Sequence, residues 1–108
     1  MRKSMKRLLG IVLVALSTSG AAIAATPEVS AAKGGCVACH AVDKKLMGPA
    51  YHDIAAKYKA DAKAPAALAA KVRSGGAGVW GKAKMFPIDA KKISDADLEA
   101  VIAWILKQ

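Results

Sequence analysis

Hydrophobic and polar positions fall at helical spacing along most of this chain. Tyr51, Ile54, Ala55 and Tyr58 sit at i, i+3, i+4 and i+7, one face of an α-helix. Leu98, Val101, Ile102 and Ile105 repeat that spacing near the carboxyl end, with Trp104 on the flank. This last helix opens on Ser94-Asp95-Ala96-Asp97, an N-cap serine with an acid three residues on, a variant of the capping box. Leu68 and Val72 share one side of an Ala-rich run that predicts a helix over Pro65–Ser74, opened by its proline and closed by Gly75-Gly76. Thr26-Pro27-Glu28 starts a shorter helix with a cap, a proline at the first position and an acid where the dipole favours it. That helix should run to Lys33 and stop at Gly34-Gly35, with Cys36 to Ala41 following as a further helical turn. Gly48-Pro49 marks a turn.

The pattern fails in one place. Residues 75–92 hold four of the nine glycines together with Pro87 and keep neither a helical nor a strand period. The reading is a loop of about 18 residues, a length that in a compact domain usually has a function. The chain is thus predicted to be all-α, one domain of four or five short helices with no strand.

The amino terminus has a different pattern. Arg2, Lys3, Lys6 and Arg7 precede the apolar run Leu8–Leu16, then Ser17-Thr18-Ser19-Gly20 and the small residues Ala21 to Ala25. A basic start, a short apolar core and a small-x-small ending predict a secretory signal peptide, residues 1–24, cleaved after Ala24 to leave a domain over 25–108. The competing reading is a membrane anchor, since residues 8–27 carry no charge, but the apolar core is closer to a leader than to the ~20 residues of a spanning helix. Export places the mature protein in a bacterial periplasm or at the cell exterior, both oxidising, and the periplasm is the expected location.

Composition sharpens this. Among 108 residues 25 are alanine and five are aromatic, so large side chains for a core are scarce, and a small chain of this kind leans on a staple, metal or cofactor. The formal charge of +9 falls to +5 once the four basic leader residues are removed, which with the compartment argues against a nucleic-acid partner.

The two cysteines lie together in Cys36-Val37-Ala38-Cys39-His40. Four chemistries compete for this pentapeptide. A redox dithiol belongs in a βαβ setting that this pattern lacks. Zinc needs four ligands, and beyond His40 only His52 is at hand. A disulfide would close a very small loop and contribute little. Covalent haem attachment uses every residue of the motif, with both thiols bonding the porphyrin vinyl groups and the adjacent imidazole ligating the iron. The export signal and the helical pattern favour this fourth reading.

A second iron ligand is sought among Met47, His52 and Met85. Met47 follows His40 by seven residues, too few to pass around the haem edge, and His52 by twelve, beside Asp53 on a polar helix face. Met85, 45 residues on in the aperiodic segment, has the reach. The competing role for Met85 is that of a flexible core filler.

With these residues in place the chain resembles the small monomeric class I cytochromes c of bacteria, of the short type that donates electrons to dissimilatory nitrite reductase. The resemblance is carried by Pro27-Glu28-Val29, Gly35 to Ala41, Gly48-Pro49-Ala50-Tyr51, Gly78-Val79-Trp80-Gly81, Met85 and the helix of Trp104. It implies a class I cytochrome c fold around one covalent haem c, with His40 and Met85 as axial ligands. It implies that the Pro49 carbonyl accepts the ring proton of His40 and that Trp80 donates to a haem propionate. Lys71 and Arg73 stand where the family places cations near the propionates.

Two departures from the family pattern stand out. Ile88 replaces an Asn that often stands three residues after the ligand methionine, and Ala31 replaces an aromatic that often packs the first helix on the last.

The implied function is single-electron transfer without bond-making chemistry, by a monomer serving nitrite reductase, a terminal oxidase, cytochrome c peroxidase or quinol-cytochrome c reductase. The rival is a haem enzyme or gas sensor with an open iron position. Val37, Leu46, Ile54, Leu68, Val72, Phe86, Ile93 and Ile102 are the expected pocket lining, with Lys33, Lys44, Lys45, Lys82 and Lys84 as a cationic rim for acidic partners.

Overall fold

The computed structural model describes residues 10–16 and 25–108. The basic start of the expected leader and its cleavage region, residues 17–24, lie outside the described residues. Residues 10–16 form no regular element, and among the described residues no helix is long and apolar enough to cross a membrane.

Helix α1 spans Pro27–Lys33, and the Thr26 hydroxyl accepts from the Val29 N–H at 3.3 Å, the cap that the sequence announces. A single 3-10 turn, Cys36–Ala38, follows Gly34 and Gly35. Helix α2 spans Tyr51–Tyr58, α3 Ala64–Ser74 and α4 Asp95–Ile105, the last capped by the Ser94 hydroxyl accepting from the Asp97 N–H at 3.2 Å.

Helix α4 is the hub: α1, α2 and α3 all pack against it. Its stripe Leu98, Val101 and Ile102 joins Ala31, Cys36 and Ile93 in one buried cluster. Ala31 is 1% exposed there, so the α1–α4 contact is made across a methyl group at the position where the resemblance led to the expectation of a ring. Among the described residues Val101 is the only large side chain below 2% exposure, as the composition forewarned.

The expected absence of strands does not hold. Gly76–Gly78 (β1) and Gly81–Met85 (β2) pair antiparallel, Gly76 opposite Met85 and Gly78 opposite Gly81, around the two-residue turn Val79-Trp80. Three of those four paired positions are glycine and most side chains of the hairpin face solvent, so no alternation of apolar residues could mark it. The sequence clue was the two-residue turn bounded by glycines. The irregular segment is therefore shorter than expected, running from Phe86 to Ile93 between β2 and the cap of α4.

Candidate functional site

The fold leaves a cleft of about 520 Å³, a volume typical of cofactor sites. Cys36, Cys39, His40, Pro49, Trp80 and Met85 all line it, together with α3 and α4 side chains such as Leu68, Val72, Leu98 and Ile102. Residues from five separate stretches of sequence meet here.

The His40 side is built by backbone hydrogen bonds. Ala50 stands at the N-cap of α2 and offers no capping side chain, so the first N–H groups of that helix need other acceptors. The Tyr51 N–H donates to the Ala41 carbonyl and the His52 N–H to that of Val42, both at 2.9 Å. The Gly48 N–H donates to the Cys39 carbonyl at 2.7 Å, closing residues 39–48 into a compact loop.

Within it His40 Nδ1–H donates to the Pro49 carbonyl at 2.7 Å. A carbonyl only accepts, so Nδ1 carries the proton and Nε2 is left with its lone pair for a metal. The ring is confined on two further sides. Tyr51 stacks on it with centroids 5.7 Å apart and planes 17° apart, and Tyr51 is itself wedged edge-on against Trp104 at 5.4 Å. Gly48 passes so close that a Cβ there would lie 2.5 Å from His40 Cε1, so only glycine admits the ring.

Both thiols are free, Cys36 buried and Cys39 partly exposed. Burial pushes the Cys36 thiol pKa up, with a smaller contribution from neighbouring Cys39. A reactive thiol requires the opposite shift, which weighs against Cys36 as a redox nucleophile. Among the described residues no group of three or more His, Cys, Asp or Glu could hold a bare metal ion. One imidazole with a free Nε2, two unpaired thiols, one thioether and a large apolar cleft form a donor set that fits a covalently attached haem. The Tyr51 hydroxyl, buried among these groups without a hydrogen-bond partner, has its pKa pushed up to about 12 by burial and by Cys36.

Met85 ends β2 half-buried at the cleft. Its main chain lies against Gly75, whose φ of +67° and missing Cβ permit the approach; a Cβ there would stand 2.5 Å from the Met85 carbonyl oxygen. Trp80 is 39% exposed, with Lys57 Nζ 5.8 Å from its ring centroid.

Several expectations are corrected. Arg73 does not face the cleft, because its guanidinium is taken up by the Ile88 and Ile93 carbonyls and Asp95, whereas Lys71 does line it. Of the expected lining, Ile54, Leu68, Val72, Phe86 and Ile102 are in place. Val37 and Leu46 point to solvent and Ile93 is spent in the α1–α4 cluster. Of the expected rim lysines only Lys45 and Lys84 border the cleft. Leu98, Val101 and Ile105 belong to its wall as well; they share the helical stripe of Ile102, the one member of it in the expected lining.

A family model for cytochrome c matches residues 18–108. The chain belongs to the cytochrome c family. It is an electron carrier and not an enzyme, and its cofactor is covalently bound haem c. It is 52% identical over 83 residues to cytochrome c2 of Rubrivivax gelatinosus, covering 77% of this chain and 98% of the relative. It is 41% identical over 101 residues to cytochrome c-551 of Pseudomonas aeruginosa, 94% of each chain. Wild-type cytochrome c552 of Nitrosomonas europaea superposes with a TM-score of 0.65 at 46% identity, over 72% of this chain and 94% of that one. The class 1 cytochrome MtoD of Sideroxydans lithotrophicus ES-1 gives the same TM-score at 31% identity, covering 75% of this chain and 90% of that one, and the fold is accordingly that of the class I cytochromes c.

Proposed function

We propose that this cytochrome c shuttles single electrons in the periplasm, with Cys36 and Cys39 as the haem thioethers and His40 and Met85 as the axial ligands. The observation that carries the assignment is the 2.7 Å bond from His40 Nδ1–H to the Pro49 carbonyl. It fixes the tautomer, leaves Nε2 unprotonated on a ring that lines the same cleft as both cysteines, and makes the imidazole a stronger donor.

When bound, the haem supplies a one-electron couple, and a thioether ligand favours its reduced form. The protein's part is to hold both ligands still and keep water out. Pro49 orients the imidazole, Tyr51 and Gly48 confine it, and the apolar walls from α3 and α4 lower the local dielectric. Trp80 and Lys71 at the cleft are the candidates to hold the propionates.

Residues 1–24 act as a cleaved signal peptide, on the strength of their basic, apolar and small-residue succession, leaving the domain 25–108 as a monomer. Partners are redox proteins with acidic docking faces, among them nitrite reductase, a terminal oxidase, cytochrome c peroxidase and quinol-cytochrome c reductase.

Spectra of the purified holoprotein test the ligand set. The oxidised protein is expected to show a sulfur-to-iron charge-transfer band, and the reduced protein to ignore carbon monoxide. Met85→Ala should lose the band and bind the gas. Prompt binding by the unaltered protein would favour the open-iron enzyme or sensor.

A further inference from the structure

Arg73 leaves the last turn of α3 and reaches three acceptors that belong to other parts of the chain. Nη1 donates to the Ile88 carbonyl at 3.2 Å, and Nη2 to the Ile93 carbonyl at 2.8 Å and to Asp95 Oδ1 at 2.7 Å. Two of these are main-chain atoms at the middle and end of the segment that leads from Met85 to α4. Ile88 is held through its preceding peptide as well, since its N–H donates to the Val72 carbonyl at 2.9 Å. Gly75, two residues beyond Arg73, is in close approach to the Met85 carbonyl.

The main chain around Met85 is thus fastened to the end of α3 through Val72, Arg73 and Gly75, and of its own Phe86–Ile93 has only the turn that Asp89 closes with the N–H groups of Lys91, Lys92 and Ile93, which leaves Phe86 to Ile88 without internal support. We infer that Arg73 is a positioning residue for Met85, a clasp that keeps the thioether against the cleft and so sets how readily another ligand displaces it. This rests on the proposed ligation by Met85.

A planar guanidinium suits the task because its fork of N–H groups can serve two carbonyls and a carboxylate at once, which an ammonium on a flexible stem cannot do in one geometry. Asp95 is 93% exposed at its side chain, so the carboxylate contact is screened by water, and the carbonyl contacts do most of the fastening. The charge of Arg73 is engaged there rather than at the cleft.

The test measures the rate at which imidazole replaces the native ligand in the oxidised holoprotein, alongside Tm and reduction potential. Arg73→Met is expected to raise the rate at least tenfold and to lower the potential. Arg73→Lys should shift both in the same direction by less, and it serves alone if Arg73→Met does not accumulate. Thr26→Ala removes the cap of α1, which touches none of the acceptors of Arg73, so it controls for lost stability and should stay within twofold of the unaltered rate. Arg73 variants within twofold of the unaltered rate, whatever their Tm, would overturn the inference, as would Thr26→Ala rising as far as they do. The underlying ligation is checked separately with Met85→Ala: if that variant takes up imidazole no faster than the unaltered protein, the assignment of Met85 fails and the clasp with it.

Discussion

Replacing Gly48 by alanine probes the His40 enclosure with one methyl group. The new Cβ would lie 2.5 Å from Cε1 and 2.9 Å from both ring nitrogens, where ordinary contact begins at 3.4 Å, so the ring must withdraw by roughly 1 Å. A side-chain end is normally free to yield, but this ring is tied to Pro49 at 2.7 Å and backed by Tyr51. A withdrawal of that size takes the Nδ1 bond beyond hydrogen-bonding distance. Losing the bond costs about 1 kcal/mol and the overpacking about 1–3 kcal/mol, so the variant should be less stable by about 2–4 kcal/mol. For a domain of this size that lowers Tm by roughly 10–25 °C. Thermal unfolding of the holoprotein followed by circular dichroism gives the Tm, and the exchange of the His40 Nδ1 proton with water, followed by NMR, reports the bond directly. A Tm within about 3 °C of the unaltered protein, with the ring proton still slow to exchange, would refute the steric argument.

Other outcomes follow from the same geometry. Changing Cys36 and Cys39 together to Ser should give a chain with no cooperative thermal transition, because few large side chains are fully buried and the attached haem must supply the rest of the core. Ser94→Ala should cost about 1 kcal/mol, read as a Tm lower by roughly 4–8 °C, through loss of the acceptor for the Asp97 N–H. Tyr51→Phe should leave Tm unchanged or slightly higher, since the hydroxyl it removes is buried without a partner while the ring contacts with His40 and Trp104 remain. A marked fall in Tm would mean that the hydroxyl finds a partner in the holoprotein.

The sequence was most legible where a local rule acts through side chains. The caps Thr26 and Ser94, the helix stripes and the spacing from Cys36 to His40 are all short-range signals, and each of the four α-helices appears within a residue or two of its expected bounds, while the turn expected over Cys36 to Ala41 stops at Ala38. What escaped was carried by the backbone. The hairpin pairs glycines, the start of α2 is satisfied by the Ala41 and Val42 carbonyls, and Arg73 finds carbonyls 15 and 20 residues away. A carbonyl is present at every position, so nothing in the residue types marks which ones a guanidinium will choose. Arg73 also shows the limit of resemblance: a cation at the expected place along α3 turned toward the loop instead of the cleft. Ala31 is the opposite case, a departure from the family pattern that the packing absorbs without losing the α1–α4 contact.

The wall that α4 gives the cleft is also the helix on which the rest of the fold rests. Leu98, Val101, Ile102 and Ile105 line the cleft from α4, and α1, α2 and α3 all pack against that same helix. Undocking α4 would therefore open one whole side of the trough and remove the common support of the other three helices in a single event. Opening the site and unfolding the domain are thus coupled through one element.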